Sequence, residues 1–115
     1  MSEEQKISIM ITETEIKDIT KKIVDFINPQ KILLFGSYAN GTANKHSDLD
    51  LLVVVENSEL SKRQREMSLY NFLGAQYNFP KDILIRTVAE IDEWKNVRQA
   101  FITSISREAK VLYER

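Results

Sequence analysis

The chain has 115 residues, room for one core that buries about two-thirds of its unfolded surface but not for a second, so a single domain over residues 1–115 is expected. Its 16 Lys and Arg stand against 17 Asp and Glu, a net charge of -1, so no long-range field gathers nucleic acid or coats a membrane. No cysteine is present, which excludes disulfides and thiolate sites, and neither the opening MSEEQK nor the longest apolar run, Leu51–Val55, has the pattern of a secretory signal or a membrane span, which points to the cytoplasm.

Thr12 and Glu15 form an S/T-x-x-E capping box, after which Ile16, Ile19, Ile23 and Phe26 or Ile27 recur at helical spacing until Pro29. Lys31–Phe35 is a short strand-like run that ends at Gly36. A polar loop follows, holding two of the three glycines, Gly36 and Gly41, and it leads into a second strand over Asp48–Val55 rich in β-branched valine. From Ser61 the pattern is helical again. Met67, Tyr70, Leu73 or Gly74, and Tyr77 fall on one side, Leu69 and Phe72 widen it, and Pro80 is expected to close it. Asp82–Thr87 reads as a third strand. A polar stretch around Trp94, a last helix with Phe101, Ile102, Ile105 and Ala109 inward, and a short strand at Val111–Tyr113 complete the chain. The order α-β-β-α-β-α-(β) implies an α+β fold, a small mixed β-sheet flanked by helices.

Side chains alternate along a strand, so Asp48 and Asp50 share one face about 7 Å apart while Leu49 and Leu51 point into the core. Two carboxylates on one face suit a hard cation such as magnesium, which takes a few carboxylate oxygens together with waters and phosphates. An isolated Asp-x-Asp pair is more often a solvated strand end. Gly36 allows close backbone approach to a ligand, and Ser37 adds a hydroxyl at the start of a helical turn whose amides could face an anion. Gly-Ser after a strand is also an ordinary turn. The two signals sit on consecutive strands.

Gly36-Ser37, ten intervening residues, then Asp48-Leu49-Asp50 is similar to the GSx10DxD signature of the DNA polymerase β-like nucleotidyltransferase superfamily. Short length, the GSYANG loop, the SDLDLLVVV strand and the closing REAKVLYER most resemble its minimal nucleotidyltransferase (MNT) family, with the likeness strongest from Ile32 to Val55. The resemblance implies the polymerase β-like fold, a triphosphate held at Gly36 and Ser37, and two Mg2+ ions on Asp48 and Asp50. It also implies a third carboxylate on a later strand. Asp82 is the candidate, since it opens the strand KDILIRT; Glu56 is the rival but lies at the far end of its strand. The family loop often reads GSxARG, whereas Asn40 stands here in place of the arginine, so a cationic contact to the nucleotide is absent or comes from Lys45. His46, a lone histidine, is given no metal role.

The activity so implied is transfer of AMP from ATP. Relatives that modify antibiotics or nucleic acids carry an extra acceptor domain, for which this chain is too short, so the acceptor is expected on a separate protein. MNT proteins pair with a HEPN (higher eukaryotes and prokaryotes nucleotide-binding) toxin, and the resemblance implies an antitoxin that adenylylates a tyrosine of that toxin. Two other readings remain at this point: an inactive fold that neutralises a partner by contact alone, and a small-molecule nucleotidyltransferase resembling the kanamycin enzymes.

Overall fold

The computed structural model describes residues 10–97 and 109–115. Along them lie α1 (Glu13–Ile27), β1 (Lys31–Phe35), α2 (Ser37–Asn40), β2 (Leu49–Val55), α3 (Lys62–Leu73), β3 (Lys81–Thr87), α4 (Val88–Val97) and β4 (Lys110–Glu114). The strands form a sheet in the order β3-β2-β1-β4. β1 runs antiparallel to β2 and to β4, whereas β2 and β3 are parallel, so the sheet is mixed, as expected of an α+β chain.

α1 begins at the expected capping box: the Glu15 amide donates to Thr12 Oγ1 at 3.1 Å and the Thr12 amide donates to Glu15 Oε1 at 2.9 Å. Ile16, Ile19 and Ile23 are buried, while Phe26 remains exposed and Ile27 is half-buried, so the last slot of the apolar face falls to Ile27. α3 opens with a second box between Ser61 and Gln64 but differs from expectation in its face and its end. Its buried stripe is Arg65, Leu69 and Leu73; Met67 is exposed, and Phe72 lies outside the core stacked on Phe26 with centroids 4.1 Å apart. The helix stops at Leu73, where Gly74 adopts a positive φ, well before Pro80.

One sheet face holds the core. Ile32 and Leu34 of β1, Leu49, Leu51, Val53 and Val55 of β2, and Ile83 and Ile85 of β3 pack there with the isoleucines of α1 and with Leu69 and Leu73 of α3. Each such side chain contributes about 1.5–3 kcal/mol by leaving water. With the odd-numbered residues of β2 and β3 turned inward, Asp50 and Asp82 are placed on the opposite face.

The polar stretch around Trp94 falls in a helix instead. Thr87-Val-Ala-Glu90 is another S/T-x-x-E box: the Glu90 amide donates to Thr87 Oγ1 at 3.1 Å and the Thr87 amide to Glu90 Oε1 at 2.9 Å, so α4 starts directly from β3. Phe101, Ile102 and Ile105 of the expected last helix lie outside the described residues; Ala109 precedes β4, which spans the short strand expected at Val111–Tyr113 and one residue more at each end.

Arg65 can be buried in its stripe because each of its three guanidinium nitrogens has a partner. It donates to both oxygens of Glu90, at 2.7 and 3.1 Å, and to the carbonyls of Leu60 and Ile85. The hydrogen bonds from Arg65, more than the one from the Thr87 amide, hold the Glu90 carboxyl down at about 2 against the opposing effect of burial. A depressed folded value means that the pair stabilises the fold above the ordinary 4.5 and that this contribution drains away as pH falls toward 2. Arg65→Met should therefore cost about 1–2 kcal/mol in urea unfolding at pH 7, since solvent screens Glu90 in part, and the gap to wild type should narrow as the pH is lowered through that window.

Candidate active site

β1 delivers the chain to the site with Phe35 opposite Asp50 in the antiparallel register. Gly36 then turns it, at φ 75° and ψ −156°, a conformation open to glycine, and α2 follows at once with Ser37 as its first residue. The Gly36 carbonyl accepts from the amides of Ala39 and Asn40, and buried Ala39 anchors the turn in the core. Asn40, where the resembled loop carries arginine, accepts from the Thr42 amide at 3.1 Å and from Thr42 Oγ1 at 2.6 Å; its side chain thus folds the loop. Beyond Gly41, the Asn44 amide donates to Ser47 Oγ and the His46 amide to Asn44 Oδ1, so the loop reaches Asp48 already hydrogen-bonded.

At β2 the expected residues meet. Asp48 immediately precedes Leu49, the first residue of the strand, and Asp50 pairs with Asp82 in the parallel β2–β3 register. Paired residues on neighbouring strands project from the same face about 5 Å apart, so the register, not the sequence distance, brings Asp82 to Asp50. The Leu49 amide donates to the Pro80 carbonyl at 3.0 Å and ties the two strand entries together. Asp50 is half-buried, whereas Asp48 and Asp82 are exposed. Burial pushes the Asp50 carboxyl up from its ordinary value, and the negative charges of Asp82 and then Asp48 push it further in the same direction.

Carboxylates placed this close together are the kind of donor set a hard cation takes. Among the described residues no three Asp, Glu, His or Cys side chains form a group that could hold a metal ion by themselves. Magnesium keeps waters and accepts phosphate oxygens beside one or two carboxylates, so exposed Asp48 and Asp82 beside half-buried Asp50 suit it only in company with a triphosphate.

The spacing of the signature does not reveal how its two halves touch. A Cβ built on Gly36 would collide with Asp50 Oδ2, so the Gly36 backbone lies directly against the carboxylate. Gly36, Ser37, Asp48, Asp50 and Asp82 are therefore brought to one end of the sheet. Glu56 is at the other end of β2, where Arg115 comes within 4.0 Å of it. Lys45 lines a cleft of about 680 Å³ with Tyr38, Ser47, Tyr77, Phe79 and Pro80, beside the entries to β2 and β3. Among the described residues no helix is long and apolar enough to cross a membrane.

The model of the nucleotidyltransferase domain family matches residues 13–108. Two proteins of Methanocaldococcus jannaschii named "Putative protein adenylyltransferase", MJ0141 and MJ1379, are similar along most of the chain. The first is 29% identical over 89 residues, covering 77% of this chain and 82% of its own. The second is 28% identical over 81 residues, covering 67% and 81%. A solved structure described as a toxin-antitoxin with AMP-PNP superposes with a TM-score of 0.61 at 21% identity, over 86% of this chain and 73% of its own, which shows the same fold.

Proposed function

This chain belongs to the nucleotidyltransferase domain family, and on that premise we propose that it transfers AMP from ATP to a tyrosine hydroxyl of a HEPN-class toxin, acting as its antitoxin. The observation that carries the reading is the meeting of Asp48, Asp50 and Asp82 at the sheet end where Gly36 lies against Asp50. The relatives named for protein adenylylation support a protein as acceptor. The toxin-antitoxin neighbour with an ATP analogue supports a toxin as that protein and ATP as donor.

Asp48, Asp50 and Asp82 would hold two Mg2+ ions, which when bound neutralise charge on the α-phosphate and on the departing pyrophosphate. Gly36 brings backbone close to the triphosphate without a side chain in the way, and Ser37 offers its hydroxyl and amide to the phosphate oxygens. Asp82, exposed at the outer strand, is the acid nearest the entering hydroxyl and takes its proton. The tyrosine oxygen forms a bond to the α-phosphorus, the bond from that phosphorus to the bridging oxygen breaks, and pyrophosphate leaves. No covalent intermediate with the enzyme is needed, so most of the acceleration comes from in-line positioning and charge stabilisation. With Asn40 engaged by Thr42, Lys45 is the cation left in the loop for the nucleotide.

ATP labelled at the α-phosphate tests this reading. Co-expression with the toxin should put label on the toxin; label on an aminoglycoside would make this a small-molecule enzyme, and label on neither would make it a binding module.

A further inference from the structure

β3 lies at one edge of the sheet, so β2 supports only its inner side, and on its outer side the backbone groups meet α3. Tyr70 of α3 accepts a hydrogen bond from the Ile83 amide at 2.9 Å and donates a longer one to the Lys81 carbonyl at 3.4 Å. These two groups belong to the peptide planes on either side of one α-carbon, that of Asp82. Holding both planes holds φ and ψ of Asp82, and with them the direction in which its Cβ leaves the strand. The Tyr70 ring is itself half-buried and packed against the core, so the hydroxyl is a fixed point. Elsewhere on the same edge Glu66 accepts from the Ile85 amide at 3.1 Å and pairs with Arg86, which braces the strand beyond Leu84 and leaves the planes around Asp82 to Tyr70.

We propose that Tyr70 is a positioning residue for the active site, setting the Asp82 carboxylate against Asp50 through its grip on the Lys81 carbonyl and the Ile83 amide. The inference rests on the metal role given to Asp82 above. A residue that orients a metal ligand changes affinity for the metal by about tenfold or more when removed, even though it never touches the ion. Tyr70→Phe deletes the hydroxyl and keeps the ring.

Mn2+ serves as the probe, its free concentration read by electron paramagnetic resonance on the folded protein without nucleotide, alongside melting curves. Tyr70→Phe should weaken Mn2+ binding about tenfold. Glu66→Ala, which loosens the same edge farther from Asp82, should lower the melting temperature and leave Mn2+ affinity at the wild-type value. Added to Asp82→Asn, the Tyr70 change should weaken binding no further, because its effect runs through that carboxylate. Wild-type affinity in Tyr70→Phe, or equal weakening in Tyr70→Phe and Glu66→Ala, would overturn the inference. Absence of Mn2+ binding by the wild-type protein would instead overturn the metal reading beneath it.

Discussion

Asp50→Asn should lower adenylyl transfer by about 10³-fold or more, the loss expected when several kcal/mol of charge stabilisation at the phosphates is removed. The same change should not weaken the fold. Asp50 is half-buried, and its carboxyl is raised by burial and by the charges of Asp82 and Asp48. A carboxyl raised in the folded state gives stability that is present below its unfolded value and is lost as pH rises through the folded one. At neutral pH and without divalent cation, the Asp50 carboxyl therefore costs stability, and asparagine removes that cost. Melting should then be as high in the variant as in wild type, or higher. Adding Mg2+ should raise the melting temperature of wild type only, since a ligand stabilises a fold by binding it. A variant that melts early, or one that gains as much from Mg2+ as wild type does, would contradict the role given to Asp50.

Gly36→Val should abolish transfer for a different reason and should also cost stability. Its φ of 75° is unfavourable for a residue with a Cβ, and the added Cβ would strike the Asp50 carboxylate. Backbone strain costs about 1–2 kcal/mol, and relief of the clash displaces the Asp50 carboxylate, an acid of the site. Gly41→Ala provides the contrast: φ is 85° there as well, but nothing lies within 4 Å of an added Cβ. It should lose only about 1 kcal/mol of stability and keep its transfer rate. Ser37→Ala should leave the fold alone and weaken ATP binding by about 0.5–3 kcal/mol, the range for one hydrogen bond to a neutral or charged partner. Equal activity in Gly36→Val and Gly41→Ala would place the phosphates elsewhere.

What could be read in advance was local. The Thr12 cap, the helical start at Ser61 and the strand ending at Gly36 each depend on residues a few positions apart and lie where the spacing puts them, while β2 begins at Leu49, one residue after Asp48. Asp82 was reached only as an acid at the start of a strand; its partnership with Asp50 is a matter of register between parallel strands joined by a long crossover. The face of α3 was misread because its stripe contains Arg65, whose burial makes sense only once Glu90 from α4 is seen beside it. The start of α4 had a signal, Thr87-x-x-Glu90, which the surrounding polar residues masked. The grip of Tyr70 on both neighbours of Asp82 has no counterpart in any local pattern.

The central claim is that this chain modifies a partner protein, and the mass of that partner tests it most directly. A HEPN toxin should be co-purified with the wild-type chain and with Asp82→Asn, and each toxin weighed intact. Both forms should bind, because an interface of ordinary size is far larger than one side chain. The toxin from the wild-type pair should be heavier by whole AMP units, carried on tyrosine, and the toxin from the variant pair should have its encoded mass. An unmodified toxin in both pairs, with cells protected equally by the two proteins, would contradict the enzymatic account and leave neutralisation by contact.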